Sequence, residues 1–211
     1  MSTIRLSGTT SGHYDLTVPS TAGTNSIDLS KLPVKDASNI IPVDGLKHTG
    51  GTTTMTFDSA GRVTTPSQPY FEACFGSTGW TDYATGGTWV KLDMDATITN
   101  VGNHYDTTNK RFVAPVTGKY FFSACAFLNV SWNSSTPYLS YIGFYKNNAF
   151  FAHFGQDVQS TEHIRHSIIV PMQANDYMDV RIQQAQTPAS NQYYKQANAR
   201  NYTYFHGMLM G

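Results

Sequence analysis

Apolar residues recur at every second position over much of this chain, which is the spacing of a β-strand that buries one face. The clearest example is segment 89–101, whose alternate apolar residues are Val90, Leu92, Met94, Ala96 and Ile98. Similar runs predict strands over residues 69–76, 139–145, 149–154, 163–172, 177–184 and 202–210. No segment shows the 3.6-residue period of a helix, so the pattern predicts an all-β fold.

One segment, residues 111–128, is apolar on both faces. It turns through Pro115 and Gly118 and then continues as an extended run. One face of that run carries Tyr120, Phe122, Ala124, Ala126 and Leu128, and the other carries Phe121, Ser123, Cys125 and Phe127. An antiparallel sheet that faces water shows polar residues on one side. We therefore predict that the core covers one face of this strand and that a partner covers the other.

Short polar sequences predict the connections between strands. Lys146-Asn147-Asn148 predicts a hairpin turn, residues 173–176 predict a second turn, and residues 58–61 predict a third. Longer polar stretches predict loops around Gly79, over 129–137 and over 185–200. Many strands at short intervals imply a sandwich or a jelly roll.

Residues 1–66 differ in character from the rest of the chain. They contain few large apolar side chains and many Thr, Ser and Gly residues, with two short β-like runs at 14–18 and 26–29. Such a segment buries too little apolar surface to offset the entropy of ordering it. We predict an extended, β-rich N-terminal segment over 1–66 that is ordered by association, and a folded head domain over 67–211.

Composition narrows the range of partners. Charged residues make up 13 % of the chain and the formal net charge is zero, which argues against nucleic acid as a partner. No signal peptide is visible. The sequence also lacks an apolar stretch of ~20 residues, so we predict no membrane insertion. The two cysteines, Cys74 and Cys125, are predicted to be buried free thiols, although their number leaves a disulfide open.

Five sequence segments, in order, resemble the globular head of complement subcomponent q. They are Phe112-Val113-Ala114-Pro115, residues 118–123 (GKYFFS), residues 145–148 (YKNN), Asn175-Asp176 and residues 204–210 (YFHGMLM). Asn175 stands where the family usually has Gly, and Asn tolerates the same turn geometry. The resemblance implies a ten-stranded antiparallel jelly roll, shared with tumour necrosis factor, that forms a homotrimer. The implied trimer interface would include Phe121, Phe127, Tyr141 and Tyr145.

Two segments before the head, 8–29 and 55–71, resemble the repeats and the pre-head hairpin of bacteriophage tail-fibre proteins, those of cyanophages especially. This resemblance implies a virion structural protein that is assembled in the host cytoplasm. In that interpretation the chain is a short trimeric tail fibre. Residues 1–66 bind other virion proteins, and the head attaches to a glycan or protein of the host surface. A capsid-attached head fibre or decoration protein, and a secreted bacterial adhesion module, remain alternatives.

The candidate chemistry is sparse. His163 and His166 are three apart, so on a strand they point to opposite faces and cannot share one metal ion. Asp93 and Asp95 share a face, a spacing compatible with Ca²⁺, but no ligand loop accompanies them and solvated carboxylates are the preferred interpretation. No catalytic motif is present. We predict no enzyme activity, no metal and no cofactor.

Binding residues are predicted in the two long polar loops and at their ends. These loops place aromatic rings among Ser, Asn and Gln, which suits flat or sugar-like ligands. The candidate receptor contacts are Trp132, Tyr138, Tyr193 and Tyr194. The alternative is that these rings pack between protomers.

Overall fold

The structure is a computed structural model, and it describes residues 2–7, 13–18, 45–47, 53–58, 60–83, 86–130, 138–158, 160–185 and 191–210. The chain forms two compact units, Met1–Asp44 and Gly45–Gly211. In the first unit, β1 (Ser2–Ser7) pairs antiparallel with β2 (His13–Val18). The strand β2 contains the run predicted at 14–18, and the run predicted at 26–29 lies outside the described residues.

A small antiparallel sheet opens the second unit. It consists of β3 (Gly45–Lys47), β4 (Thr53–Phe57) and β5 (Val63–Thr64). The Asp58 carboxylate accepts hydrogen bonds from the backbone N–H groups of Ala60 and Arg62 at 2.9 Å each, which closes the predicted turn at 58–61. This sheet therefore groups with the head, whereas the predicted domain boundary lies after residue 66.

The head is a sandwich of two antiparallel sheets. The first, which we call the β12 sheet, has the strand order β7 (Gly79–Asp82), β17 (Asn191–Lys195), β12 (Gly118–Val130), β18 (Tyr204–Leu209), β6 (Tyr70–Cys74) and β9 (Ala96–Val101). The strand β15 (Thr161–Met172) pairs with the other edge of β12. Because β17 and β18 pair with successive parts of one edge of β12, that long strand organises the whole sheet.

The second sheet, the β16 sheet, has the order β10 (Tyr105–Asp106), β11 (Arg111–Val113), β16 (Tyr177–Gln184), β13 (Tyr138–Lys146) and β14 (Ala149–Val158), and β8 (Val90–Lys91) also pairs with β16. In the part of the chain that the structure describes, the two sheets contain seven and six strands. The fold class is therefore confirmed as all-β and antiparallel, but the predicted count of ten strands is not.

The core between the sheets is aromatic. Phe71 lies within 4.8–6.3 Å, between ring centroids, of Tyr105, Phe112, Phe122 and Phe205. The inner face predicted for β12 is fully buried, from Tyr120 to Leu128. Each large side chain buried in this way stabilises the fold by about 1.5–3 kcal/mol.

The strand predicted over residues 89–101 is wrong as one element. Its first part, Val90–Lys91, pairs with β16, whereas Ala96–Val101 pairs with β6 in the other sheet. Between them the chain crosses the core, and Leu92 and Met94 are 2 % and 1 % exposed. The alternation of apolar residues therefore continues beyond the first strand, because the segment that crosses the core also buries every second residue.

Two predicted loops contain strands. The segments around Gly79 and over 185–200 include β7 and β17, which pair with each other. Their polar sequences hide the strands because β7 contains no buried residue and, among the described residues of β17, only Tyr193 belongs to the core. The predicted turns are confirmed: Asn147 and Asn148 have φ values of 51° and 64°, and Asn175 has a φ of 71°, so each adopts the left-handed conformation. No helix in the described ranges is long and apolar enough to cross a membrane.

Candidate assembly and binding surfaces

The outer face of the β12 sheet carries an apolar row that this single chain leaves uncovered. Phe121 on β12 lies opposite Ile169 on β15 and opposite Met208 on β18. Ile169 is 57 % exposed and Met208 is 42 % exposed. We call the outer face of this sheet the assembly face, since an exposed apolar row flanked by polar residues is typical of an interface.

An ion pair between the buried Glu72 on β6 and the half-exposed Arg200 lies on the assembly face. Arg200 donates from Nε and Nη2 to the Glu72 carboxylate at 2.7 Å each, and Thr99 donates to it at 2.9 Å. These hydrogen bonds, led by those from Arg200, lower the pKa of Glu72 to about 2. Glu72 is 6 % exposed. Its negative charge is compensated by Arg200 within the same chain.

His206 lies beside this pair, opposite Glu72 in the β18–β6 register. Its ring stacks on Tyr204 with 4.3 Å between centroids, and its buried Nε2 has no hydrogen-bond partner among the described residues. Burial lowers the pKa of His206. The imidazole is therefore held in an environment that favours its neutral form.

The far end of the assembly face is an aromatic cluster of Trp80, Phe127, His163, Tyr194 and Tyr202. Phe127 lies at its centre, 4.4 Å from His163, 4.9 Å from Tyr202 and 5.6 Å from Trp80 between ring centroids. Trp80 is 40 % exposed. The cluster is thus packed within the chain but leaves part of its aromatic surface exposed.

The structure separates the four predicted receptor contacts. Tyr194 belongs to the aromatic cluster just described, and Tyr138 is half-buried and packs against the core. The prediction of Tyr193 as a receptor contact is wrong. Its side chain is 2 % exposed, because it points inward and packs on Phe75 and Tyr83. A ring in that position does not contact a receptor. Trp132 lies outside the described residues.

The four predicted interface residues do not form one patch. Phe121 and Phe127 lie on the assembly face, opposite Ile169 and His163 on β15. Tyr141 and Tyr145 lie on β13, on the outer face of the other sheet, and Tyr145 is only 7 % exposed. The reason is that β12 and β13 belong to different sheets, which sequence periodicity alone does not reveal.

The outer face of the β16 sheet carries a second aromatic surface, which we call the ledge: Trp89, Tyr141, Tyr145, Phe150 and His153. Trp89 is its hub, with the other four ring centroids 5.6–6.2 Å away. Phe150 is 52 % exposed. The sequence predicts Tyr141 and Tyr145 as interface residues but does not predict a ligand surface here; a signal for it was the pair of glycines at 143 and 155 within otherwise aromatic strands.

The predicted opposite orientation of His163 and His166 is confirmed. His163 lies opposite Phe127 on the outer face, whereas His166 lies opposite the buried Ala124 and packs 5.6 Å from Phe144. Within the described ranges no three His, Cys, Asp or Glu side chains are grouped to hold a metal ion.

The carboxylates and thiols also fit simple structural roles. The Asp93 side chain is 61 % exposed and lies 3.6 Å from Lys110, and Asp95 is exposed and accepts a hydrogen bond from the Gly76 N–H at 2.7 Å. Cys74 and Cys125 are free and buried, as predicted. Burial raises the pKa of both thiols, which makes them poor nucleophiles.

The head is thus a two-sheet antiparallel sandwich with two aromatic surfaces on its outer faces. The model of the C1q domain family matches residues 79–210. The rat complement C1q tumor necrosis factor-related protein 6 is 32 % identical over 95 residues, which cover 44 % of this chain and 34 % of that protein. This chain therefore spans about a third of the length of that curated relative.

Two solved structures align with about two thirds of this chain. Eiger, a TNF of S. frugiperda, is 10 % identical with a TM-score of 0.51, covering 69 % of this chain and 94 % of that chain. The globular domain of zebrafish complement 1qA is 11 % identical with a TM-score of 0.47, covering 68 % and 98 %. The chain belongs to the C1q domain family, and the resemblance of its head to that family is confirmed. Domains of this kind are generally binding modules without enzymatic activity.

Proposed function

We propose that this chain is a virion structural protein, a short trimeric bacteriophage tail fibre whose head attaches to the host surface. The observation that carries the proposal is the assembly face, where Phe121, Ile169 and Met208 form an apolar row on a domain whose core is already complete. A single chain gains nothing from this row. Three chains that bury it would gain the transfer free energy of those side chains.

A closed trimer needs two different surfaces on each protomer, because rotation by a third of a turn places unlike patches in contact. The assembly face supplies one surface. The other is the strand β14 at the free edge of the β16 sheet, which carries Phe151 and Phe154, each 43 % exposed. C1q and TNF-like domains typically form trimers, which supports this arrangement.

The particle context rests on the sequence of the N-terminal part. Segments 8–29 and 55–71 resemble phage tail-fibre sequences, and residues 1–66 have little apolar surface of their own. In the proposed function this part binds other virion proteins, and the head is left free to contact the host. In a capsid-attached fibre, the N-terminal part would likewise bind the particle and the head would contact the host.

The decisive experiment is mass spectrometry of purified virions, followed by immunogold labelling of intact particles. The proposed function predicts this chain in the particle, with label at the tail. Label on the capsid would identify a head fibre, and finding the chain only in host culture medium would favour the adhesion module and overturn the proposal. A virion that carries only residues 67–211 would test whether residues 1–66 provide attachment to the particle.

A further inference from the structure

The ledge on the outer face of the β16 sheet has the features of a ligand site. We propose that it is a carbohydrate-binding site, which takes the apolar face of a pyranose ring of a surface glycan against Trp89 and Phe150. The inference rests on the proposed surface-attachment function and names its ligand class. It also places the contact on residues different from the loop residues that the sequence predicts.

Two glycines make room for the rings. A side chain at Gly143 would have its Cβ 2.8 Å from the Trp89 ring, and one at Gly155 would have its Cβ 2.5 Å from the Tyr141 ring. Both distances are shorter than any normal contact. Trp89, which comes from the segment before β8, therefore occupies the space over Gly143 on β13, and Tyr141 occupies the space over its register partner Gly155. The strands are shaped to hold these rings against the sheet.

An ion network fixes the lower edge of the ledge. Asp179 is 1 % exposed and accepts hydrogen bonds from Arg181 Nε at 2.7 Å and Nη2 at 3.3 Å, while Lys91 lies 3.1 Å away. The Arg181 guanidinium lies 3.9 Å above the Tyr145 ring, and Asn148 also accepts a hydrogen bond from it. Because Arg181 is held on several sides, this edge of the ledge is ordered before any ligand arrives.

The chemistry of this surface favours a sugar. The charges of Lys91, Arg181 and Asp179 sum to +1, and both cations are paired with the Asp179 carboxylate, so the ledge offers only a weak field to a phosphate or a nucleic acid. The exposed Phe150 ring and the half-buried Trp89 ring suit the apolar face of a pyranose. Nearby amide groups, such as that of Gln183, which donates to the Gly87 carbonyl, suit its hydroxyl groups. A stable protein partner needs roughly 800 Å² on each side, whereas the ledge presents only the rings of Trp89, Tyr141, Phe150 and His153, because Tyr145 is buried.

The test uses the full chain on a printed array of bacterial, plant and animal glycans, followed by calorimetry with the best-bound oligosaccharide. Wild-type protein should bind at least one glycan. Trp89→Ala and Phe150→Ala should each weaken that binding by about tenfold or more, because each removes a stacking surface. Val116→Ala is the control: it removes an apolar side chain of similar exposure, 47 % against 52 % for Phe150, that belongs neither to the ledge nor to the surfaces proposed for assembly, and it should bind as wild type.

A spectroscopic readout locates the contact directly. The chain has three tryptophans, so a variant with Trp80→Phe and Trp132→Phe reports on Trp89 alone, and its emission should shift when the glycan binds. Equal binding by Trp89→Ala and wild type, or no bound glycan on the array, overturns the inference while the tail-fibre assignment stands on virion composition. Dissociation of the oligomer by Phe150→Ala also overturns it, because the ledge would then be an interface between copies.

Discussion

Phe121 and Ile169 lie directly opposite each other on β12 and β15, on the side of the sheet that faces away from the core. Ile169 is 57 % exposed in the single chain. Neither residue belongs to the core cluster, and in the proposed function another protomer covers both. The pair is therefore the point at which the proposed assembly is most directly tested.

Ile169→Asp and Phe121→Asp should abolish trimer formation. A carboxylate buried in an interface without a partner costs several kcal/mol, whereas Ile169→Asp in a monomer places the charge in water. Light scattering on the purified chain measures this directly. Asp93→Ala should leave both assembly and stability unchanged within about ±0.5 kcal/mol, because that side chain is solvated. A wild-type monomer would refute the prediction outright.

Gly207→Ala should destabilise the head by about 1–3 kcal/mol, the usual cost of overpacking. A Cβ at this position would lie 2.5 Å from the Phe122 ring and 2.6 Å from the Phe71 ring, in the centre of the core. Chemical denaturation measures the loss. Gly76→Ala is the control, since its Cβ would lie 3.6 Å from the Asp95 carboxylate, an ordinary contact. Equal stability of the two variants would contradict the prediction, because it would mean that the aromatic core accommodates the extra methyl group without loss of stability.

Glu72 should make stability depend on acid pH. Hydrogen bonds led by those from Arg200 lower the pKa of Glu72 from 4.5 to about 2. Between these two pH values the Glu72 carboxyl group is protonated in the unfolded chain but ionised in the native chain. The pair therefore stabilises the fold fully above about pH 4.5, and this stabilisation is lost as the pH falls towards 2.

Glu72→Gln should be less stable than wild type by about 1.5 kcal/mol at pH 7, the scale of a hydrogen bond to a charged group. The difference should shrink below the unfolded-state pKa and disappear near pH 2. Thermal melts of both proteins across this range provide the measurement. A difference that stays constant with pH would show that the charge of Glu72 plays no part.

Cys74 and Cys125 should resist alkylation in the native protein. Both thiols are fully buried and burial raises the pKa of each, so little thiolate is present and no reagent reaches it. Mass spectrometry after iodoacetamide treatment should show no modification in buffer and two modifications in denaturant. Rapid labelling of one cysteine in the folded protein would contradict the described packing.

The sequence predicted most of the fold because period-two patterns report directly on which residues are buried. Tyr120, Phe122 and Leu128 were placed on one face, and all three are fully buried. The pattern failed at Leu92 and Met94, since a crossover through the core buries alternate residues as a strand does. It also missed β17, because that strand is ordered by pairing with β7 and β12 rather than by its own composition.

The surfaces were harder to predict than the fold. Whether Tyr193 or Tyr194 faces outward depends on the register of β17 against β12, which sets Tyr193 opposite the buried Leu128. The ledge depends on Trp89 reaching across the sheet to Gly143. Neither relationship is local in sequence, so neither is visible in the spacing of residues along the chain.

The strand β18 lies between β6 and β12 in the middle of its sheet, although it is the last strand of the chain. While the chain is being synthesised, β6 and β12 therefore wait with unpaired edges until residues 204–209 have left the ribosome. Pairings of such long range form slowly, and open edges invite association with other chains. The head should consequently complete its fold only after residues 204–209 have emerged, and its assembly into trimers should compete with aggregation during that interval.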